Sequence, residues 1–518
     1  MSESGGGGTA VTDGGATQSD FVEYGIEDRP PLLQSILLGF QHYLTMIGAT
    51  VAIPLVLISF MNEVGEAMPE EEQALLIGTF FVVSGIATLL QTTIGNRYPL
   101  VQGGTFSMLA PAIAIIFAVG GQQTAAPAWE VSLLELQGAI IVAGAVEVFI
   151  GYAGLMGRLK EYLSPVVIAP VIALIGLALF GAPQIVTAQQ NWWLMGLTVL
   201  LIVLFSQYLD KYNRTFKLYP VLLGVGLTWL IALILSIDAV GFYEAGQPGY
   251  VDLDQAADAD IIQVVTPLQW GMPQFTVSFI IGMFAGMLAS VVESFGDYHA
   301  VARLSGTAAP SRKRINHGLG MEGIGNVIAG IMGTGNGSTS YSENIGAIGI
   351  TGVASRYVVQ VGAIVMLIAG FIGPVGMVFA TLPEPIVGGL FIAMFGQIAA
   401  VGLANLKYVD LDSSRNVFII GLALFAGLAV PAYMGLFSGP DEFRAGMEAT
   451  WLVGSVLGEQ IISDTIFVIG STGMAVGGII AFVLDITVKG SRESRGLADW
   501  DRIAETDEDF ESFFDRLG

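Results

Sequence analysis

Apolar runs long enough to cross a membrane recur between residues 32 and 487, separated by short polar stretches. A bilayer is spanned by about 20 mostly apolar residues in a helix. The pattern predicts segments at 32–60, 75–95, 105–118, 136–154, 163–183, 190–209 and 218–237. A second set falls at 273–297, 316–332, 343–353, 356–380, 384–404, 414–435 and 464–487. This is an all-α polytopic membrane protein with fourteen segments, of which the third and tenth are short. Each short segment follows a stretch that makes a poor helix. The first is Pro99-Leu100-Val101-Gln102-Gly103-Gly104-Thr105, and the second is the Gly/Ser/Thr run 333–342. Extended backbone at membrane depth survives only if it is paired or lines a cavity. Two short strands that pair with each other, with both half-helix N-termini facing one centre, meet both conditions. Each short segment is third in its half, and an odd repeat unit places the second copy upside down. The expectation is two inverted seven-helix repeats.

Charge supports this count. With the N-terminus inside and fourteen crossings, every one of the 20 basic residues except Arg444 falls on the inner side. Such a bias follows the positive-inside rule. The outer side carries Glu70-Glu71-Glu72 and the 238–272 loop, which has acids but no Lys or Arg. Residues 1–30 read as a disordered cytoplasmic tail without a cleaved signal peptide. Residues 488–518 read as a charged cytoplasmic C-terminal tail, amphipathic or disordered.

Composition narrows the function classes. Only 12% of residues are charged, about half the share in a soluble domain. The 68 glycines suit close helix approach and interrupted helices. With no cysteine, disulfides and thiolate metal sites are excluded. His42, His299 and His317 show no metal-ligand spacing, so no metal site is expected. The net charge of −24 argues against nucleic-acid binding and reads as the solvated acidic surface of a halophilic protein. No phosphate loop, metal His pair or nucleophile elbow is present, so an enzyme is not expected.

The acids within apolar segments are the candidates for chemistry, since each is costly at membrane depth without a partner, proton or ligand. Glu293 and Asp297 are four apart and share a helix face. They are either water-exposed residues at the cytoplasmic end of segment 8 or a substrate carboxylate with a cation-linked one. Glu343-Asn344 opens the tenth segment, where free N–H groups and the positive dipole end gather. Glu322 either pairs locally or belongs to the coupling network, and Glu147 reads as structural. His42 is a packing residue or orders the site. Phe106 either packs or stacks on a flat ligand. His299 and His317 fall in or beside a basic loop and read as solvated. Carboxylates accept from ring N–H groups and half-helix N–H groups donate to carbonyl oxygens. That inventory fits a small planar heterocycle such as a uracil or xanthine. Two close carboxylates raise each other's pKa, which opens a route to proton coupling.

Several of these stretches resemble the motifs of the nucleobase–ascorbate transporter family. Glu343-Asn344-Ile345-Gly346 through Thr351-Gly352 is similar to its signature. Gln41-His42, Gly103-Gly104-Thr105-Phe106 and Glu293-Ser294-Phe295-Gly296-Asp297-Tyr298 also resemble family motifs, and the likeness runs through segment 11. The resemblance implies a core domain, residues 31–155 and 273–382, that moves against a gate domain, residues 156–272 and 383–487. It implies a homodimer through the gate in the plasma membrane. It also implies uptake of a nucleobase by cation symport, with a proton or sodium as coupling ion and no other cofactor. By motif position, Glu293, Glu343, Phe106, Asn344 and Ser342 would bind substrate, and Asp297, His42 and Glu322 would form the coupling network. Glu343 leans toward uracil-like substrates, whereas Asp297 leans toward the xanthine or uric acid type. The alternative is an anion exchanger or channel of the same fold, which should carry a basic residue at the half-helix N-termini.

Overall fold

The computed structural model describes residues 22–122, 126–155, 164–186, 191–253, 259–450, 453–497, 510–513 and 515, without the side chains of Arg214 and Glu343. The expectations for residues 1–21 and 498–509 lie outside the described residues.

The described residues are mostly helical, and the predicted segments become helices with several corrections. Segment 1 is two helices, Leu32–Leu44 and Ile47–Val64. They part where the Thr45 hydroxyl donates to the His42 carbonyl at 2.6 Å and Met46 N–H donates to the Tyr43 carbonyl at 3.0 Å. Segment 14 also breaks, and Gln460–Ser471 meets Gly473–Thr487 at a 95° bend. Segment 11 divides into Arg356–Gly370 and Gly373–Ala380. The break is braced by the 238–272 loop, for Gln263 N–H donates to the Phe371 carbonyl and Gly373 N–H to the Ile261 carbonyl, at 3.0 and 3.2 Å. The segment 11 break lies where backbone groups find partners on another stretch of chain, and the other two are held by local hydrogen bonds to the preceding helix; hydropathy registers neither. Among the described residues, six helices are long and apolar enough to cross a membrane unbroken, or seven counting the bent pair as one span.

Segment 8 runs from Val277 to Leu304 and segment 9 begins at Arg312. The basic loop between them is therefore shorter than hydropathy suggested. Glu293 and Asp297 lie inside the helix, away from its end. Neither histidine is a solvated loop residue. His299 is half-buried with Nδ1 2.8 Å from the Phe295 carbonyl. His317 packs against the rings of Tyr152 and Phe510.

Two groups of helices pack internally. Glu70–Thr93 lies against Arg356–Gly370 and Gly373–Ala380, and Ala128–Tyr152 lies along Arg312–Met332. Glycine sets the second approach, since a Cβ on Gly323 would stand 2.5 Å from Val148 N. In the other group, Pro165–Leu177 packs on Glu384–Ala404 and Gly473–Thr487, and Ser414–Met434 joins them. There a Cβ on Gly402 would stand 2.2 Å from Ala173 N. Asp485, whose side chain is fully buried, ties the second group together by accepting from Arg415 at 2.9 Å and Arg495 at 2.7 Å.

Candidate functional site

The two short strands form as the sequence required. Strand β1, Gln102–Gly103, pairs antiparallel with β2, Thr339–Ser340, in the register Gln102 to Ser340 and Gly103 to Thr339. Tyr341 N–H extends the ladder to the Val101 carbonyl at 3.0 Å. Gly103 is needed because a Cβ there would meet the Tyr341 ring at 2.5 Å. After β1 comes one tight turn, Phe106–Met108, that leads into Leu109–Gly120. The Thr105 hydroxyl caps it by accepting from Ser107 N–H. After β2 comes the half-helix Ser342–Thr351. It ends at Gly352, whose φ of 71° is the left-handed stop that glycine takes without strain.

Side chains hold this crossing rigid. Asn336 Oδ1 accepts from Thr105 N–H at 2.7 Å. Asn326 Oδ1 accepts from Ser338 N–H at 2.5 Å, and its amide donates to Glu147 at 2.6 Å. Glu147 is thereby fully buried beside the crossing. Glu322, 2% exposed, accepts from Ser294, Thr339 and Tyr298 at 2.6, 2.9 and 3.1 Å. Tyr298 in turn accepts from the Gln91 amide at 2.8 Å. Asn344 donates to the Pro99 carbonyl at 2.6 Å and faces His42 Nδ1 through its Oδ1 at 3.1 Å. The buried donors and acceptors thus link the crossing to five helices, Leu32–Leu44, Glu70–Thr93, Ala128–Tyr152, Val277–Leu304 and Arg312–Met332, as polar groups away from water require.

A cavity of about 1,320 Å³ opens beside the crossing. Its wall includes Phe106, Glu293, Gly296, Asp297, Tyr341 and Ser342 from the first group of helices and Met394 and Gln397 from the second. Asp297 accepts from the Ser342 hydroxyl at 2.7 Å, so helix Val277–Leu304 grips the start of the half-helix. The Phe106 ring stands edge-on to Phe395, with centroids 6.0 Å apart. A Cβ on Gly296 would meet nothing within 4 Å. Glycine there leaves the space between Glu293 and Asp297 open. Arg303 and Lys407 line the same cavity farther along.

Of the sequence candidates, the structure gathers Phe106, Glu293, Asp297 and Ser342 on one cavity wall. Glu343 lies in the first turn of the half-helix, and its side chain lies outside the described residues. Asn344, His42 and Glu322 are buried behind the wall, where they brace it and do not line it. Sequence reasoning missed Tyr341, Gly296 and the aromatic pair Phe391–Phe395, stacked 5.2 Å apart. Gly296 had a readable signal, since it sits between two acids on a helix. The Phe pair had none, because it lies on a uniformly apolar helix. Among the described residues no cluster of His, Asp or Glu could hold a metal ion.

A multi-pass helical body with half-helices that meet beside a cavity is the frame of a secondary transporter. Comparison with known proteins agrees. Residues 33–436 match the family model described as the Permease family. Solute carrier family 23 member 1 of Rattus norvegicus is 41% identical, over 92% of this chain and 82% of its own. Solute carrier family 23 member 2 of Homo sapiens is 40% identical, over 93% and 77%. Nucleobase-ascorbate transporter 12 of Arabidopsis thaliana is 34% identical, over 92% and 72%. The chain belongs to this permease family, that of the nucleobase–ascorbate transporters, and is a membrane transporter and not an enzyme.

Solved structures agree on fold alone. The transmembrane domain of the cyanobacterial bicarbonate transporter BicA superposes with a TM-score of 0.55 at 18% identity, covering 79% of this chain and 98% of that one. The murine Slc26a9 anion transporter superposes with a TM-score of 0.56 at 14% identity, covering 78% and 66%.

Proposed function

We propose that the protein imports a nucleobase, of the uracil or xanthine and uric acid type, by cation symport. The observation that carries this is the cavity wall where Glu293, Asp297, Ser342 and Phe106 meet at the two half-helix N-termini. Glu293 and Glu343 accept ring N–H groups, Phe106 covers the ring face, and the half-helix N–H groups donate to ring carbonyls. Asn344 fixes the half-helix, and His42 and Asn344 act as one unit through their hydrogen bond. Asp297 and Glu322 supply the proton- or sodium-linked carboxylates. The relatives' names support a nucleobase or ascorbate, and Glu343 at the first signature position favours the nucleobase.

The fourteen-segment inverted repeat is the architecture we propose, with N- and C-termini in the cytoplasm and the protein in the plasma membrane. In this reading the first helix group belongs to a core domain, 31–155 and 273–382, and the second to a gate domain, 156–272 and 383–487. An elevator-like movement of the core against a dimeric gate would carry the site across. The cavity runs toward Arg303 and Lys407 on the basic side, which supports an inward-facing arrangement. An anion exchanger of the same fold would need a basic residue at the half-helix N-termini. Among the described residues these ends carry none, and both basic residues on the cavity wall lie on other elements.

Uptake into proteoliposomes tests the reading. Uracil, xanthine, uric acid, hypoxanthine and ascorbate compete against one labelled nucleobase, and each gradient is dissipated in turn. Strong competition by a nucleobase with none by ascorbate is expected. Uptake of bicarbonate or sulfate without any nucleobase would overturn it.

A further inference from the structure

The last described residues of the chain return to the helices. Leu497 is buried, and Gly496 packs against the Tyr408 carbonyl and Pro165. Arg495 pairs with Asp485, and the Ser494 carbonyl accepts from Asn416 at 2.7 Å. Residues 494–497 are therefore seated on the group built from Pro165–Leu177, Ser414–Met434 and Gly473–Thr487.

Residues 510–513 and Asp515 are seated on the other group. Phe510 is 2% exposed, with the Arg314 guanidinium 4.4 Å over its ring and the His317 ring 5.8 Å away. Arg314 also covers Tyr98 at 4.7 Å and donates to the Asn96 carbonyl at 3.0 Å. Arg97 donates to the Glu511 carbonyl at 3.1 Å, and Lys313 pairs with Asp515 at 2.5 Å. Ser512 is buried and donates from both its N–H and its hydroxyl to Asp515, each at 2.8 Å, which holds that carboxylate toward Lys313. Beside Lys313 and the Ser512 donors, the Asp515 carboxyl is held well below the usual carboxylate range. The sequence between the two seats, 498–509, carries six acids and one Arg. A dozen residues reach at most about 40 Å when extended.

We propose that Arg97, Tyr98, Lys313, Arg314 and His317 form a binding site for an acidic, aromatic peptide, and that its ligand is this chain's own end, Phe510–Asp515. Because residues 494–497 are fixed to the second helix group, the docked end straps the two groups together on the face that carries most of the basic residues. The cradle is specific in two ways. An aromatic ring fills the slot between guanidinium and imidazole, a cation–π arrangement that an aliphatic residue does not satisfy. Lys313 and Arg97 match the charge and backbone of the following turn. The consequence for transport rests on the proposed movement of one group against the other, whereas the docking itself does not. A docked strap slows that movement, and its release speeds it.

The absence of cysteine allows a direct test in the full-length protein. Lys313→Cys with Asp515→Cys places one thiol on either side of the ion pair, too far apart for a direct disulfide but within reach of a short bis-methanethiosulfonate linker. The linker should join them within one chain, read by mass spectrometry of the linked peptides. Adding Phe510→Ala should abolish the link. No link, a link formed only between subunits, or an undiminished yield with Phe510→Ala would overturn the site. In proteoliposomes, linking should slow nucleobase uptake and reductant should restore it, while a chain ending at Leu497 should take up substrate faster than the intact protein. Unchanged rates in both would overturn the strap. If no nucleobase is transported at all, the substrate reading fails and the cross-link still decides the docking.

Discussion

At the scale of single residues, the account turns on acids that an apolar environment tolerates only with partners. Hydrogen bonds to a charged group are worth about 1.5–3 kcal/mol. Glu293→Gln should therefore weaken nucleobase binding roughly 10- to 150-fold without lowering thermal stability, measured by calorimetric titration and melting. A stable variant with unchanged affinity would remove Glu293 from the site. Phe106→Ala should cost less, about 0.5–1.5 kcal/mol of ring stacking, seen as a rise in KM at unchanged kcat. Asp485→Ala leaves Arg415 and Arg495 facing a void, so it should destabilise the fold by about 3–5 kcal/mol while leaving the cavity wall intact. How far the sequence disclosed these residues depended on how unusual each was. Glu293, Asp297 and Glu343 stand out because acids are rare in apolar segments. Glu322 stands out equally, yet four hydroxyl-bearing residues converge on it in the fold. Its place behind the wall was invisible because Ser290, Ser294 and Thr339 are unremarkable in the chain. Met394 gave no sign of facing a cavity, since apolar residues on an apolar helix look alike.

At the scale of elements, the strand pair is the device that carries function. Two residues of ladder on each side let backbone turn at membrane depth with its polar groups satisfied. Gly103 sits at the closest approach. Gly103→Val should drive its side chain into the Tyr341 ring and separate β1 from β2. The expected result is loss of uptake together with a lower melting temperature, and a stable, active variant would show that the pairing is dispensable. Both half-helices were legible, because Gly-rich polar stretches interrupt the hydropathy and each precedes a short apolar segment. The breaks at Thr45–Met46 and Thr472 were not legible. At Thr45–Met46 the chain is nearly apolar, at Gly470-Ser471-Thr472-Gly473 the polar stretch is too short to end the apolar run, and local hydrogen bonds of Thr45 and Thr472 carry the change of direction. The long reach of helix Val277–Leu304 was missed for the opposite reason. Polar and charged residues after Asp297 ended the apolar run while the helix continued.

At the scale of the molecule, two helix groups share one cavity and meet where Val277–Leu304 and Leu109–Gly120 pack against Gln460–Ser471 and Ile47–Val64 packs against Glu384–Ala404. That division follows from glycine contacts inside each group, which bring backbones close and hold each as a unit. The acidic surface belongs to this scale too. A net charge of −24 repels itself most when screening is weak, so the melting temperature should fall as salt is lowered. A salt-independent melting temperature would count against adaptation to high salt. Two residues of the basic set used for the topology, Arg303 and Lys407, line the same cavity. The central claim is that the half-helix crossing binds a nucleobase through its carboxylates. It is tested most directly by labelled xanthine and uracil uptake into proteoliposomes holding the intact protein, Glu293→Ala or Glu343→Ala. The account predicts saturable uptake of at least one nucleobase by the intact protein and loss of it in both variants. Nucleobase uptake that survives both substitutions would contradict it.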